Sequence, residues 1–286
     1  MALEPPLAAP RTGSGAGLQP IDRWTLAYAA LVMAFVLWRW PPSAGLLLLA
    51  HGLLVCVALS APRARSRATR GSFLAEFYPL LVDVALYTGI GLLNSAAGIS
   101  YDRLIQGWEA ALFGGQPSRD WIRSQPWPLL SWPLHVGYLS YYLILAAAPL
   151  GLWLSGRRDA ARRTILLMMV TFYICYGSFL LFPVAGPRYL FPLAQNAATA
   201  VAPAVFAQRL LDGAAAWGTA FPSSHVAVAL VASLTAARDW RALGLVLTPA
   251  AVLLSLGTVY GQFHYAVDAL AGAALAAVVL AFGRRS

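Results

Sequence analysis

Eight apolar stretches, at about 24–40, 44–61, 72–98, 129–154, 164–183, 222–237, 242–260 and 265–282, dominate this chain of 286 residues. A helix needs roughly 20 predominantly apolar residues to cross the hydrocarbon layer of a bilayer. The reading is therefore all-α: a polytopic membrane bundle of about eight transmembrane helices. The sixth stretch is short, but it opens at a Pro-Ser helix entry and can begin below the surface. Composition agrees, with 11% charged residues and a mean hydropathy of +0.66, where soluble domains carry about 25% charge.

The chain has no lysine; all 20 of its basic residues are arginine, set against 11 acids. Nucleic-acid binding would gather those arginines on one polar face. They sit instead in short clusters between apolar runs, as topology signals do. Tracing eight spans alternately puts 14 of the 20 on the starting side, among them Arg63, Arg65, Arg67, Arg70, Arg157, Arg158, Arg162, Arg163, Arg238, Arg241, Arg284 and Arg285. The positive-inside rule then makes both termini cytoplasmic. A bacterial inner (plasma) membrane is the expected location.

Residues 1–20, rich in Pro, Gly and Ala, are expected to be a disordered cytoplasmic tail, and residues 21–286 a single transmembrane domain. The outer segment 99–128 mixes Trp108, Trp121 and Trp127 with polar residues, which predicts one or two interfacial amphipathic helices broken at Gly114-Gly115-Gln116-Pro117. Cys56 and Cys175 lie inside apolar runs and offer neither a disulfide framework nor a zinc spacing.

Two of the four histidines fall at matching depth. His225 ends Phe221-Pro222-Ser223-Ser224-His225, at the outer start of the sixth stretch. Free N–H groups and the positive dipole end make such a helix start an anion site, with the Ser223 and Ser224 hydroxyls at hand. Taken alone, the motif reads better as an ordinary capped helix start with an interfacial histidine. His264 begins His264-Tyr265-Ala266-Val267-Asp268 at the outer start of the eighth stretch. Spaced four apart, His264 and Asp268 share a helix face, so the carboxylate can accept the Nδ1 proton and leave Nε2 as nucleophile or base. A lone His-x3-Asp pair also serves as a buried structural pair. The seventh stretch leaves and returns between the motifs, bringing both histidines to one face, and that convergence favours an active site. Gly186-Pro187-Arg188-Tyr189 lies on the same side. The Arg188 fork suits phosphate oxygens, although an interfacial arginine can also simply snorkel.

These three elements resemble the type 2 phosphatidic acid phosphatase superfamily, integral membrane enzymes that include inositol-phosphorylceramide and sphingomyelin synthases. Pro222-Ser223-Ser224-His225 matches its Pro-Ser-x-His motif, and His264 with Asp268 matches its His-x3-Asp motif. Arg188 matches the first-motif arginine with the proline before it instead of after, and the resemblance covers about 164–282, the expected catalytic core. The family's third-motif serine and arginine fall on Gly257 and Thr258, with Gln262 the nearest polar side chain before His264. That departure, with Asp102 to Trp121, is similar to the sphingolipid-synthase branch.

The resemblance implies a lipid phosphoryl-transfer enzyme acting at the outer leaflet. His264 would attack phosphorus and become phosphohistidine, Asp268 would stabilise the imidazolium, and His225 would act as acid and then base. Substrate would be bound by Arg188, Tyr189, Ser223, Ser224 and Gln262, with His135 near the headgroup. The donor would be a lipid phosphate or phospholipid; the acceptor would be water, or a lipid or polyol hydroxyl. No cofactor or metal is needed in that scheme. A metal site built from His225, His264 and Asp268 is the lesser alternative, and a transporter or lipid-binding protein is the alternative from another class. Glu76 and Asp83 share a face of the third stretch, where Asp83 should pair with a buried polar group. His51 reads as structural.

Overall fold

The computed structural model describes residues 17–67 and 73–283, so most of the expected tail lies outside the described residues. Among them every apolar stretch is helical. The order is α1 (Pro20–Arg39), α2 (Ala44–Arg67), α3 (Phe73–Ala97), α4 (Asp102–Phe113), α5 (Pro117–Ser124), α6 (Pro128–Leu139) and α7 (Tyr141–Leu154). There follow α8 (Arg158–Leu181), the single turn α9 (Pro187–Leu190), α10 (Ala202–Ala214), α11 (Ser224–Asp239), α12 (Arg241–Tyr260) and α13 (Ala266–Phe282).

Five of these helices, α1, α2, α3, α8 and α12, are long and apolar enough to cross a membrane alone. The expected single span at 129–154 is instead the pair α6 and α7, bent by 46°, which counts as a sixth. The bend falls at Ser140, whose Oγ donates to the Gly137 carbonyl (2.6 Å), a side-chain intrusion of the kind that kinks helices. The remaining two, α11 and α13, have 16 and 17 residues. Both begin at the candidate site. α4 and α5 occupy the segment predicted to be interfacial, and Gly114 ends α4 in a left-handed turn (φ 71°) that only a residue without Cβ adopts freely.

Helix α11 is the hub, packing against α7, α8, α12 and α13. Its buried face is built from small residues, Ala227, Ala229, Ala232 and Ala236 among them. Without a hydrophobic drive between helices in lipid, small side chains allow the close approach that packing requires. The larger side chains that fill the remaining space, Phe172, Tyr176 and Phe179, come from α8.

Polar contacts sort the bundle into two ends. At one end the Arg65 guanidinium grips Asp22 with two bonds (2.7 and 2.8 Å), Tyr78 donates to the same carboxylate (3.0 Å), and Arg162 pairs with Glu76 (3.0 Å). Arg65 was expected in a loop. It lies on the last turns of α2 and is buried, because helix formation continues beyond the apolar stretch wherever an ion-pair partner waits. α8 likewise starts at Arg158 rather than near 164. At mid-bundle Tyr176 donates to Asp83 (3.0 Å), the buried pairing expected for that acid. His51 bonds the Leu47 carbonyl of its own helix through Nδ1 (2.8 Å). At the other end Asn94 ties α3 to the Phe179 and Gly218 carbonyls (3.0 Å each). Both histidine motifs lie at that end.

Candidate active site

Three chain segments converge at that end, each held by backbone bonds. The segment leading to Arg188 pairs with the one leading to His225 through a single parallel bridge, Val184 to Thr219, and Ala220 N donates to the Val184 carbonyl (2.9 Å). Gly186, at φ 101°, turns the chain into α9 in a conformation closed to residues with a Cβ. Ser223 caps α11, its hydroxyl accepting from Val226 N (3.4 Å), while Ser223 N donates to the Asp268 carbonyl (3.0 Å) and so ties α11 to α13. The connection from α12 to α13 is a tight turn in which Thr258 O accepts from both Phe263 N (2.9 Å) and His264 N (3.0 Å).

These ties bring the histidines into contact. His264 Nε2 lies 3.3 Å from His225 Nδ1. On its other side His264 Nδ1 faces the Ala220 carbonyl at 3.1 Å and Asp268 Oδ2 at 3.4 Å. A carbonyl can only accept, so the Nδ1 of His264 carries the proton and Nε2 holds the free lone pair. His225 must then donate its own Nδ1–H to that lone pair. The sequence predicted the carboxylate as partner; the nearer one is the backbone carbonyl, which no sequence motif could announce. Asp268 Oδ2 also accepts Tyr265 N (2.9 Å), while Oδ1 is buried without a partner. Burial lowers the His264 pKa to about 4, against the opposing help of the Ala220 carbonyl, so the ring is neutral at physiological pH.

Arg188 and Tyr189 join the histidines as walls of one pocket, together with Tyr87, Tyr138, Thr219 and Phe263. One nitrogen of the Arg188 guanidinium pairs with Asp212 (2.7 Å), and the other, Nη1, is buried without a partner. The His225 ring lies against Tyr138 and Tyr141, at centroid distances of 5.6 and 4.4 Å. Ser224 is buried at the same helix start.

The structure does not bring His135 or Gln262 to this pocket. Aromatic Phe263 stands beside His135 (5.9 Å between centroids), whose Nδ1 turns back to Ser131 (2.9 Å). Gln262 accepts Ala194 N (3.0 Å) through its side-chain oxygen and so anchors the long 184–221 connection. A separate open groove between α5 and residues 192–196 is lined by Arg119 and Arg123, and no histidine reaches it.

A family model described as PAP2 superfamily matches residues 104–282, more than half of the chain. The chain belongs to the PAP2 superfamily. Its match begins inside α4 and closes with the last residue of α13, so it takes in Arg188, His225, His264 and Asp268. The PA-phosphatase related-family protein of Dictyostelium discoideum is 32% identical over 119 residues, 40% of this chain and 21% of that protein. The chain thus spans about a fifth of the length of that relative. No solved structure matches.

For a PAP2 chain, the residues at 257 and 258 have a packing explanation. A Cβ at Gly257 would run into the Leu134 carbonyl of α6, so the serine expected there cannot fit while α6 lies this close. Thr258 is fully buried, its hydroxyl donating to the Ser255 carbonyl (2.8 Å). Sequence reasoning also missed two acids of α4. Asp102 accepts Ala185 N and Gly186 N (2.8 Å each) and the Tyr265 hydroxyl (2.9 Å). Glu109 accepts Ala266 N (2.7 Å) and the Ser118 hydroxyl (2.8 Å). Their spacing of seven, on one face with Ile105 between, was a usable signal of a face turned inward.

Proposed function

We propose that this protein is a lipid phosphoryl-transfer enzyme that cleaves a lipid phosphoester or diphosphate at the outer leaflet through a phosphohistidine at His264. The observation that carries this reading is the 3.3 Å approach of His264 Nε2 to His225 Nδ1 in a pocket walled by Arg188. His264 Nε2 forms the bond to phosphorus, and the ester oxygen leaves with the Nδ1 proton of His225, which enters this step as an imidazolium, its second proton brought to Nε2 by the phosphate monoanion, and ends it as a neutral ring. That is the proton that rests on the His264 lone pair in the empty site. The Ala220 carbonyl and Asp268 share the charge of the resulting imidazolium. His225, now bare at Nδ1, takes a proton from the acceptor hydroxyl as that oxygen attacks phosphorus and the P–N bond breaks. Arg188 Nη1 and the free N–H groups at the start of α11 face the charge on the phosphoryl oxygens. Ser223 and Ser224 line that helix start, and Tyr189 stacks beside Arg188 (5.5 Å). At 3.3 Å the two histidines leave no room for phosphorus between them, so substrate entry moves the His225 ring.

Water and a lipid or polyol hydroxyl serve the same chemistry, which leaves a phosphatase and a synthase as two forms of one function. The site end carries fewer arginines than the opposite end, which supports an extracytoplasmic site and cytoplasmic termini, in a membrane such as the bacterial inner one. Sealed right-side-out vesicles given a radiolabelled lipid phosphate test the function and the side together. Inorganic phosphate released to the outer medium is the expected result. Label moving to an added diacylglycerol or polyol instead would identify the synthase form, and release only into the lumen would reverse the orientation. Absence of any turnover would overturn the reading.

Acid should stop the reaction late. The nucleophile is active when deprotonated, that is, above its own pKa, and burial has moved that value from 6.5 down to about 4. The acid limb of kcat/KM is therefore expected near pH 4, after correction for the second ionisation of the substrate phosphate at about 6. A limb at 6.5 would show a solvated nucleophile and refute the assignment of His264.

A further inference from the structure

Helix α4 presents an unusual inner face. Leu104, Trp108, Leu112 and Phe113 are exposed, while Asp102, Ile105 and Glu109 are buried against the protein. We infer that Asp102 is a positioning residue that locks the Arg188 segment to the His264 segment, setting the distance between phosphate clamp and nucleophile. The inference rests on the function proposed above for those two residues.

The geometry is direct. One oxygen of the carboxylate accepts Gly186 N and the Tyr265 hydroxyl; the other accepts Ala185 N and the Ser100 hydroxyl. Gly186 is two residues from Arg188, and Tyr265 is the immediate neighbour of His264. A single buried side chain thus spans both segments, from a helix that holds neither of the proposed reacting groups. Gln106 adds a bond to the same Tyr265 hydroxyl (3.0 Å), and Glu109 holds the first residue of α13 (2.7 Å). Alanine at position 102 removes both accepting oxygens, so the bonds to Ala185 N, Gly186 N and the Tyr265 hydroxyl are all lost and both segments are released.

A misplacement of 1 Å costs on the order of 10²-fold in rate, and Asp102→Ala is expected to lower kcat/KM by about that factor, raising KM through Arg188 and lowering kcat through His264. Tyr265→Phe cuts the link on the nucleophile side alone, so kcat should fall by about tenfold while KM holds. Hydrogen exchange supplies a readout independent of turnover. In Asp102→Ala the peptides covering 184–191 and 262–268 should exchange about tenfold faster, and in Tyr265→Phe only the second should. Unchanged exchange in both peptides of folded Asp102→Ala overturns the clamp, as does faster exchange with kcat and KM at wild-type values. Should Asp102→Ala fail to accumulate, Tyr265→Phe with unchanged kcat and unchanged exchange overturns it equally. If the wild type turns over no lipid phosphate, the proposed function fails and the clamp's catalytic purpose fails with it, while exchange still reports whether Asp102 joins the segments.

Discussion

His264→Ala is expected to abolish turnover and the covalent intermediate together. Without the imidazole no group is left at the pocket to form the P–N bond, and the neighbouring His225 directs its Nδ1 proton, not a lone pair, into the site. His225→Ala should behave differently. It retains the nucleophile and loses the proton donor, a change typically worth ~10²–10⁴-fold. An aryl phosphate, whose leaving group needs no proton, should recover most of that loss in the first step. Asp268→Asn should fall between the two, because the Ala220 carbonyl still fixes the Nδ1 proton when the carboxylate is gone. Acid-labile labelling by a ³²P lipid phosphate distinguishes all three. Near-normal turnover in His264→Ala would remove the covalent route and make a metal-activated water the leading account.

Asp22→Ala is expected to produce the largest loss of stability. Asp22 is fully buried and Arg65 is nearly so, and the two meet in a bidentate pair. Removing one partner strands the other charge, which costs about 3–5 kcal/mol. The double variant Asp22→Leu/Arg65→Met removes both charges together and should regain most of that loss, since apolar replacement of a buried pair is often neutral. Thermal unfolding in one fixed detergent compares the three chains. Equal melting temperatures for Asp22→Ala and wild type would show that the pair contributes nothing.

Much of this fold is legible in hydropathy. Each apolar stretch became helix, and the Gly114 break between α4 and α5 stands where composition predicted it. The helix ends were less legible, because Arg65 and Arg162 read as loop charges until their partners Asp22 and Glu76 on other helices are known. The two histidines could be found from local spacing, since Pro-Ser at a helix entry and His-x3-Asp are both short-range patterns. Ala220 could not, because a backbone carbonyl has no residue type. Nor could the partners of Asp102 at 185, 186 and 265, which lie more than 80 positions away along the chain, although its spacing from Glu109 marked an inward face. His135 was drawn to the headgroup by its depth, which hydropathy reports, while the Phe263 ring beside it belongs to packing, which hydropathy does not report.

The ionic end of the bundle bears on how cargo would move. Asp22, Arg65, Glu76 and Arg162 bind α1, α2, α3 and α8 to one another, and Arg163 pairs with Asp239 to add α11. A carrier working by alternating access must part its helices at both faces once in every cycle, and here each parting would strip several buried charges of their partners. An enzyme that draws a lipid sideways from one leaflet and returns the product to the same leaflet opens at one face only. The ion pairs can then stay closed through every turnover, as a fixed floor against which the histidine end moves.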